Sequence, residues 1–381
     1  MRVLFIASYM GVGGAERQLA ALAAGLKRAG HEVIVCVFKP GGRFEDLLVS
    51  KGIPLRRLNK RGMLDVVSTL ARLTAVIDEF RPDVVHGYLG VPNVFAAWAK
   101  LRRPSVIAAW GVRGTAWERS SYPWDAKVAL WMEDRFARYA DVVIANSAAG
   151  SEFVKARGFP AAKVTVIPNG IDTERFVRDP AGRARLRAEW GVKDDELLVG
   201  VVARLHPMKD HPTFLAAAEE LVTKFPRARF ALVGEGSPEY QAELERRCTP
   251  PVASRTIWAG HRADMTAVYS AVDVVVLSSK FGEGFPNVVG EAMSCQTPCV
   301  VTDVGDAARV VGECGTVVAK QSPRELAEAL GALASLPAED FRALGTAARQ
   351  RIENNFSVAS LVARTLDVLQ EAKRRRSASG G

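Results

Sequence analysis

Short apolar runs rich in β-branched residues alternate with longer amphipathic stretches along almost the whole chain. That is the pattern of parallel sheets covered by helices. In the first half, runs at 3–8, 32–38, 84–86, 106–109, 142–146 and 164–167 predict strands. In the second half, runs at 197–202, 229–233, 256–259, 274–277 and 299–302 do the same. Residues 15–29 are rich in Ala and Leu and predict a helix, with Gly30 as its C-cap. Further helices are predicted at 211–225, 238–247, 263–271, 287–295, 323–334 and 338–354. The pattern breaks at Pro168-Asn169-Gly170-Ile171-Asp172, where turn formers precede a long charged stretch. A boundary there gives two α/β domains, 1–172 and 173–356. The last residues, 374–381, are basic and then rich in Ser and Gly, and read as a disordered tail.

A chain of 381 residues with 48% hydrophobic content is long enough for two cores. It contains no apolar run of about 18 residues, so no membrane-spanning helix is expected. The opening Met1-Arg2-Val3-Leu4-Phe5-Ile6-Ala7 is short and leads into Gly11-Val12-Gly13-Gly14. It reads as a first strand and a phosphate-type loop, not a secretion signal. The five cysteines are odd in number and include no Cys-x-x-Cys pair. This argues against a disulfide framework or a zinc site and for a reducing cytoplasm.

Charge is unevenly placed. Residues 1–172 hold 24 Lys and Arg against 15 Asp and Glu, a net +9, whereas 173–355 hold 22 against 25, a net −3. Residues 356–381 hold 5 against 2. Basic patches occur at Lys51, Arg56, Arg57, Lys60 and Arg61, at Lys100, Arg102 and Arg103, and at Lys373-Arg374-Arg375-Arg376. A basic half suggests an anionic membrane face or a phosphorylated acceptor, against a plain solvated surface. No nucleic-acid partner is expected. The aromatics Trp110, Trp117, Tyr122, Trp124 and Trp131 fall in a basic region; they suit headgroup contact, stacking on a sugar, or simple packing.

The densest chemistry lies in Gly282-Glu283-Gly284-Phe285-Pro286-Asn287-Val288-Val289-Gly290-Glu291. Proline is tolerated early in a helix, so the segment predicts a loop after the 274–277 strand and a helix opening near Pro286 or Asn287. Free main-chain N–H groups around Phe285-Pro286-Asn287, where the helix opens, would border an anion pocket. Glu283 falls in the loop and Glu291 about one turn into the helix, a pair suited to gripping two parts of a polyhydroxyl ligand. After the 197–202 strand come Arg204 and Lys209, two cations suited to a diphosphate leaving group. Gly13 and Gly14 follow the first strand, where glycines let backbone approach a phosphate. Gly234-Glu235-Gly236 ends the 229–233 strand, leaving room for a base or ribose, or forming a plain turn. His86 closes the 84–86 strand and is a candidate for the acceptor side. His206, His211 and His261 lack metal-ligand spacing and read as structural.

In this order the motifs resemble the retaining, two-Rossmann-domain (GT-B) glycosyltransferases of family 4: Gly13-Gly14-Ala15-Glu16-Arg17, Ile167-Pro168-Asn169-Gly170-Ile171-Asp172, Arg204 with Lys209, and Glu283-x7-Glu291. The resemblance spans about residues 2–356. It implies two Rossmann-like domains facing across a cleft, with a C-terminal helix, about 357–373, returning to the first. It implies transfer of a sugar from a nucleotide diphosphate donor to a hydroxyl acceptor with retention. It further implies that neither metal nor cofactor is needed and that the acceptor is a glycan or lipid-linked molecule at the inner membrane face. Arg204, Lys209 and Glu283 are then the catalytic residues, and Gly13, Gly14, Gly234, Glu235, Phe285, Pro286, Asn287 and Glu291 bind the donor. Two departures stand out. Many relatives carry His-Gly where this chain has Trp110-Gly111-Val112-Arg113-Gly114; Arg113 is assigned to the acceptor side, its charge suiting a phosphate-bearing acceptor or the donor diphosphate. Many relatives also carry Gly-Gly-x-x-Glu where this chain has Val304-Gly305-Asp306-Ala307-Ala308-Arg309. A sugar-nucleotide epimerase or hydrolase, and a non-catalytic nucleotide-sugar-binding protein, are the alternatives.

Overall fold

The computed structural model describes residues 1–11, 13–62, 65–114 and 124–379. The chain divides into two compact units, Met1–Gly170 with Val358–Gly381, and Ile171–Ser357. Counted by these units the charge asymmetry grows: 29 basic against 16 acidic residues in the first, and 22 against 26 in the second.

The first unit is built on a parallel sheet of β1 (Arg2–Ala7), β2 (Glu32–Val37), β3 (Leu55–Arg57), β4 (Val84–Tyr88), β5 (Ile107–Val112), β6 (Val142–Ala145) and β7 (Val164–Val166). Their spatial order is β3-β2-β1-β4-β5-β6-β7. The two-residue period of a strand sends alternate side chains to opposite faces. In β1, Val3 and Phe5 enter one apolar layer and Leu4 and Ile6 the other. The first layer is covered by the helix Gly14–Arg28, through Leu19, Leu22 and Leu26, and by the final helix Val358–Ser379, through Leu361, Val362 and Leu369. These two helices pack so closely that a Cβ on Gly25 would lie 2.4 Å from Val362 Cγ2. The final helix therefore completes this core.

The second unit has a six-stranded parallel sheet: β8 (Leu198–Val202), β9 (Arg229–Val233), β10 (Thr256–Gly260), β11 (Val274–Leu277), β12 (Cys299–Thr302) and β13 (Gly315–Val318). Their order is β10-β9-β8-β11-β12-β13. Val199, Val201, Val274 and Val276 face one layer, and Leu198, Val202, Val275 and Leu277 the other.

Three expectations are corrected. The edge strands β3 and β13 escaped the sequence reading, because each is short and only partly buried. Residues 374–379 are not a disordered tail but the last turns of the final helix. Its cations find partners there: Lys373 pairs with Asp83 at 2.8 Å, Arg374 and Arg375 with Glu371, and Arg376 donates to the Val106 carbonyl at 2.7 Å. Strand β4 also runs on to Tyr88, which moves His86 into its interior.

Candidate functional site

In an open α/β sheet a ligand binds outside the carboxyl ends of the strands, where the strand order reverses. In the second unit that reversal lies between β8 and β11. The loops following these two strands hold Arg204, Lys209 and Glu283, and they are stitched together. Ser278 Oγ donates to the Lys209 carbonyl at 2.7 Å, and Lys280 N to the Met208 carbonyl at 3.0 Å. Lys209 Nζ lies 2.5 Å from Glu283 Oε1, and Ser279 Oγ donates to the same oxygen at 2.6 Å. Glu283 is only 8% exposed, whereas Arg204 stands in solvent. Between them, His206 accepts from Met208 N at 3.2 Å and shapes the turn. Burial, then the charges of Arg204 and Lys209, hold its pKa below the usual histidine value.

Past Glu283 the chain enters the helix Asn287–Ser294, with Pro286 at its N-cap. The helical ladder begins with Val289 N donating to the Pro286 carbonyl at 3.1 Å. The N-terminal dipole thus opens beside Phe285, Pro286 and Asn287. Glu291 lies one turn in, 3% exposed, and accepts from the Tyr269 hydroxyl at 2.8 Å. The loop after β12 supports the same region. Asp306 N donates to the Gly284 carbonyl at 3.0 Å, and a Cβ on Gly305 (φ +59) would lie 2.4 Å from the Glu283 carbonyl oxygen. Ser279, Tyr269 and Gly305 were not legible as site residues, because each reaches Glu283 or Glu291 through the fold and not through a motif.

Gly234 and Gly236 lack side chains for a different reason from the one read in the sequence. A Cβ on Gly234 (φ +144) would lie 2.0 Å from the Ala203 carbonyl oxygen, and one on Gly236 2.4 Å from that of Leu205. The space is filled by the backbone that leads to Arg204, not reserved for a base or ribose. Exposed Glu235 accepts from Leu205 N at 2.9 Å through its carbonyl.

In the first unit the strand order reverses between β1 and β4. Gly13 caps the helix Gly14–Arg28, and a Cβ there would lie 2.1 Å from Glu16 Oε2; Val12 lies outside the described residues. At the end of β4 stands Tyr88. Arg113, just past β5, donates to its hydroxyl at 2.7 Å and lies 4.4 Å from the ring centre. Arg113 also reaches Asn169 Oδ1 at 3.5 Å. Asn93 fixes the end of β5 by bonding both the N–H and the carbonyl of Gly111, at 3.1 and 3.3 Å. His86 is corrected: it is fully buried against Phe5 and Tyr88, and its ring nitrogens have no partner among the described residues. Desolvation, then Arg113, holds its pKa well below 6.5. The strand end that it was expected to occupy belongs to Tyr88.

Among the aromatics, Trp110 is core, packed edge-on against Phe159 at 5.8 Å. Trp117 and Tyr122 lie outside the described residues. All five cysteines are free, and burial pushes the Cys36 and Cys295 thiols up to about 12. Among the described residues no cluster of three or more His, Cys, Asp or Glu is placed to hold a metal ion, and no helix is long and apolar enough to cross a membrane.

This geometry agrees with comparisons to known proteins. Residues 12–175 match the model of Glycosyltransferase Family 4, and residues 196–335 that of the glycosyl transferases group 1. The first half is thus similar to the family-4 glycosyltransferases and the second to the group-1 glycosyl transferases, and the chain has their α/β, two-Rossmann-domain (GT-B) fold. It is 32% identical over 278 residues to a D-inositol 3-phosphate glycosyltransferase of Kineococcus radiotolerans, covering 65% of this chain and 61% of that one. Two further relatives of that name are matched over 51% and 50% of their length, so the chain spans little more than half of the curated relatives it matches there. It is 28% identical to the GDP-mannose-dependent alpha-(1-6)-phosphatidylinositol monomannoside mannosyltransferase of Mycolicibacterium smegmatis, over 96% of this chain and 97% of that one. The solved structure of Anabaena Alr3699/HepE in complex with UDP shares the fold, with a TM-score of 0.84 at 24% identity, covering 97% of this chain and 100% of that one.

Proposed function

We propose that the protein transfers a sugar from a nucleotide diphosphate donor to a hydroxyl acceptor, with retention of configuration and without a divalent metal or cofactor. The observation that carries this reading is the joined pair of loops after β8 and β11 at the switch point of one sheet, in which Lys209 pairs with the inward-turned carboxylate of Glu283 and exposed Arg204 stands in the same loop as Lys209. Arg204 and Lys209 neutralise the departing diphosphate, where negative charge grows in the transition state. Glu283 positions the sugar hydroxyls, Glu291 the nucleotide ribose, and the helix end at Phe285, Pro286 and Asn287 helps hold the phosphates. The bond to the leaving oxygen breaks as an oxocarbenium-like sugar forms. The acceptor hydroxyl attacks from the same face, and its proton passes to the departing phosphate. A neighbour of this fold holds UDP-glucose in its solved structure, and a relative is named for GDP-mannose; both are nucleotide diphosphate sugars.

On the acceptor side, Arg113 stacked on Tyr88 suits a phosphate-bearing molecule, and the basic first unit suits a glycan or lipid-linked acceptor at the cytoplasmic membrane face. Turnover with a panel of nucleotide sugars, in EDTA, with the product anomer read by NMR, tests the whole reading. Inverted product, or activity restored only by a divalent ion, overturns it. Turnover without acceptor would indicate a hydrolase or epimerase.

A further inference from the structure

The helix Trp124–Phe136 is amphipathic in the wrong sense for a helix that meets only water. Two of its acids turn inward: Glu133 is buried, accepts from Asn93 Nδ2 at 2.8 Å, and pairs with Arg157 at 2.9 Å, while Asp134 pairs with the same arginine at 2.6 Å. Its large apolar groups turn outward: Trp124 is 71% exposed, Trp131 65% and Val128 36%. Positions 124, 128, 131 and 135 recur at i, i+4, i+7 and i+11, and 127 falls beside them, so all five share one stripe. The remaining two are Lys127 and Arg135, both exposed and paired with no carboxylate among the described residues. Two tryptophans are an unusual load for solvent, since an exposed Trp leaves a large apolar surface wet. The Glu133–Arg157 and Asp134–Arg157 pairs lock the helix in this rotation, because turning it would bury Lys127 and strand Arg157.

We infer that this stripe is the element that docks the protein on an anionic phospholipid surface, with the indole rings at headgroup level and Lys127 and Arg135 against the lipid phosphates. The inference rests on the membrane reading above and assigns it to one helix. Indoles sit at the boundary between apolar chains and water, and each cation near an anionic leaflet adds attraction. The net positive charge of the first unit, which carries this helix, matches such a surface and not an acidic-poor protein partner.

The test is co-sedimentation of the full-length chain with phosphatidylglycerol-containing vesicles and with pure phosphatidylcholine vesicles. Alongside it are measured the melting temperature and the solution mass. The wild type is expected to bind the anionic vesicles. Trp124→Ser with Trp131→Ser is expected to bind them on the order of tenfold more weakly at an unchanged melting temperature. Lys127→Glu with Arg135→Glu is expected to lose the preference for anionic over neutral lipid. If the wild type binds and both variants bind equally well, the helix assignment is overturned while the membrane reading survives. If the wild type ignores anionic vesicles, the membrane reading itself falls, and this inference with it. If the tryptophan variant instead turns a dimer into a monomer with lipid binding intact, the stripe is a contact between copies and the inference is overturned.

Discussion

Lys209 Nζ and Glu283 Oε1 stand 2.5 Å apart although the residues are 74 positions apart in sequence. Each was singled out from its own motif, one for phosphate and one for sugar. Their contact means that either can be disturbed through the other. A donor diphosphate would draw Lys209 toward its oxygens and release Glu283 to the sugar hydroxyls.

Lys209→Ala and Glu283→Ala are each expected to lower turnover by about 10²–10³, since removal of one charge-assisted transition-state contact costs roughly 2–4 kcal/mol in the barrier. The double variant is expected to lose less than the sum of the two, because the residues are in contact. Single-turnover rates with the cognate donor check this. Near wild-type turnover in either single variant would remove that residue from the mechanism.

Stability is expected to fall with acid through His211. It is fully buried at the start of the helix His211–Lys224, and its ring nitrogens have no partner among the described residues. Burial, then Lys209, lowers its pKa from 6.5 to about 4. The folded state holds it neutral, so protons bind the unfolded chain preferentially. Its contribution is present in full above about pH 6.5 and is lost as pH falls toward about 4, where the slope ends. The integrated effect is about 3 kcal/mol. His86 acts in the same direction. Urea midpoints across this range should show a shallower slope in His211→Gln; an identical slope would refute the assignment.

Gly234→Ala is expected to destabilise the protein by more than about 2 kcal/mol, because φ is +144 and the new methyl meets a carbonyl oxygen at 2.0 Å. The strain falls on Ala203 and so reaches Arg204. A lower melting temperature together with a raised donor KM is the expected pair of readouts. An unchanged melting temperature would show that the backbone yields cheaply.

Arg113→Lys keeps the charge but loses the planar fork that stacks on Tyr88 and bonds its hydroxyl. The expected result is an acceptor KM raised on the order of tenfold with donor KM unchanged, the loss of one bidentate or stacked contact being worth about 1–2 kcal/mol. A change confined to the donor KM would move Arg113 out of the acceptor side.

Most of the strands were legible because parallel strands buried on both faces read as apolar runs, as Val274–Leu277 does. Strand β3, Leu55-Arg56-Arg57, was not, because an edge strand can carry exposed arginines. The sequence of the tail predicts disorder by composition alone. What orders it is distant: Asp83, Asp141 and the Val106 carbonyl, none of which a local reading supplies. The principal motifs of the candidate site were legible as well, since Arg204, Lys209, Glu283 and Glu291 sit at strand and helix ends. The hydroxyls of Ser279 and Tyr269 were not, because neither side chain carries a signal until the fold brings it to a carboxylate. His86 failed for a simpler reason: Gly87 looked like the end of a strand and instead lies within one.

The close fit of Gly25 against Val362 also sets an order of events during synthesis. The first unit cannot finish its apolar layer until the last helix leaves the ribosome, whereas all 187 residues of Ile171–Ser357 emerge beforehand. At roughly 5–20 residues per second this leaves the N-terminal half incomplete for about 10–40 s. The second half made is therefore the first able to complete its core, and the helix face around Gly25, which Val362 covers in the finished fold, stays open throughout that interval.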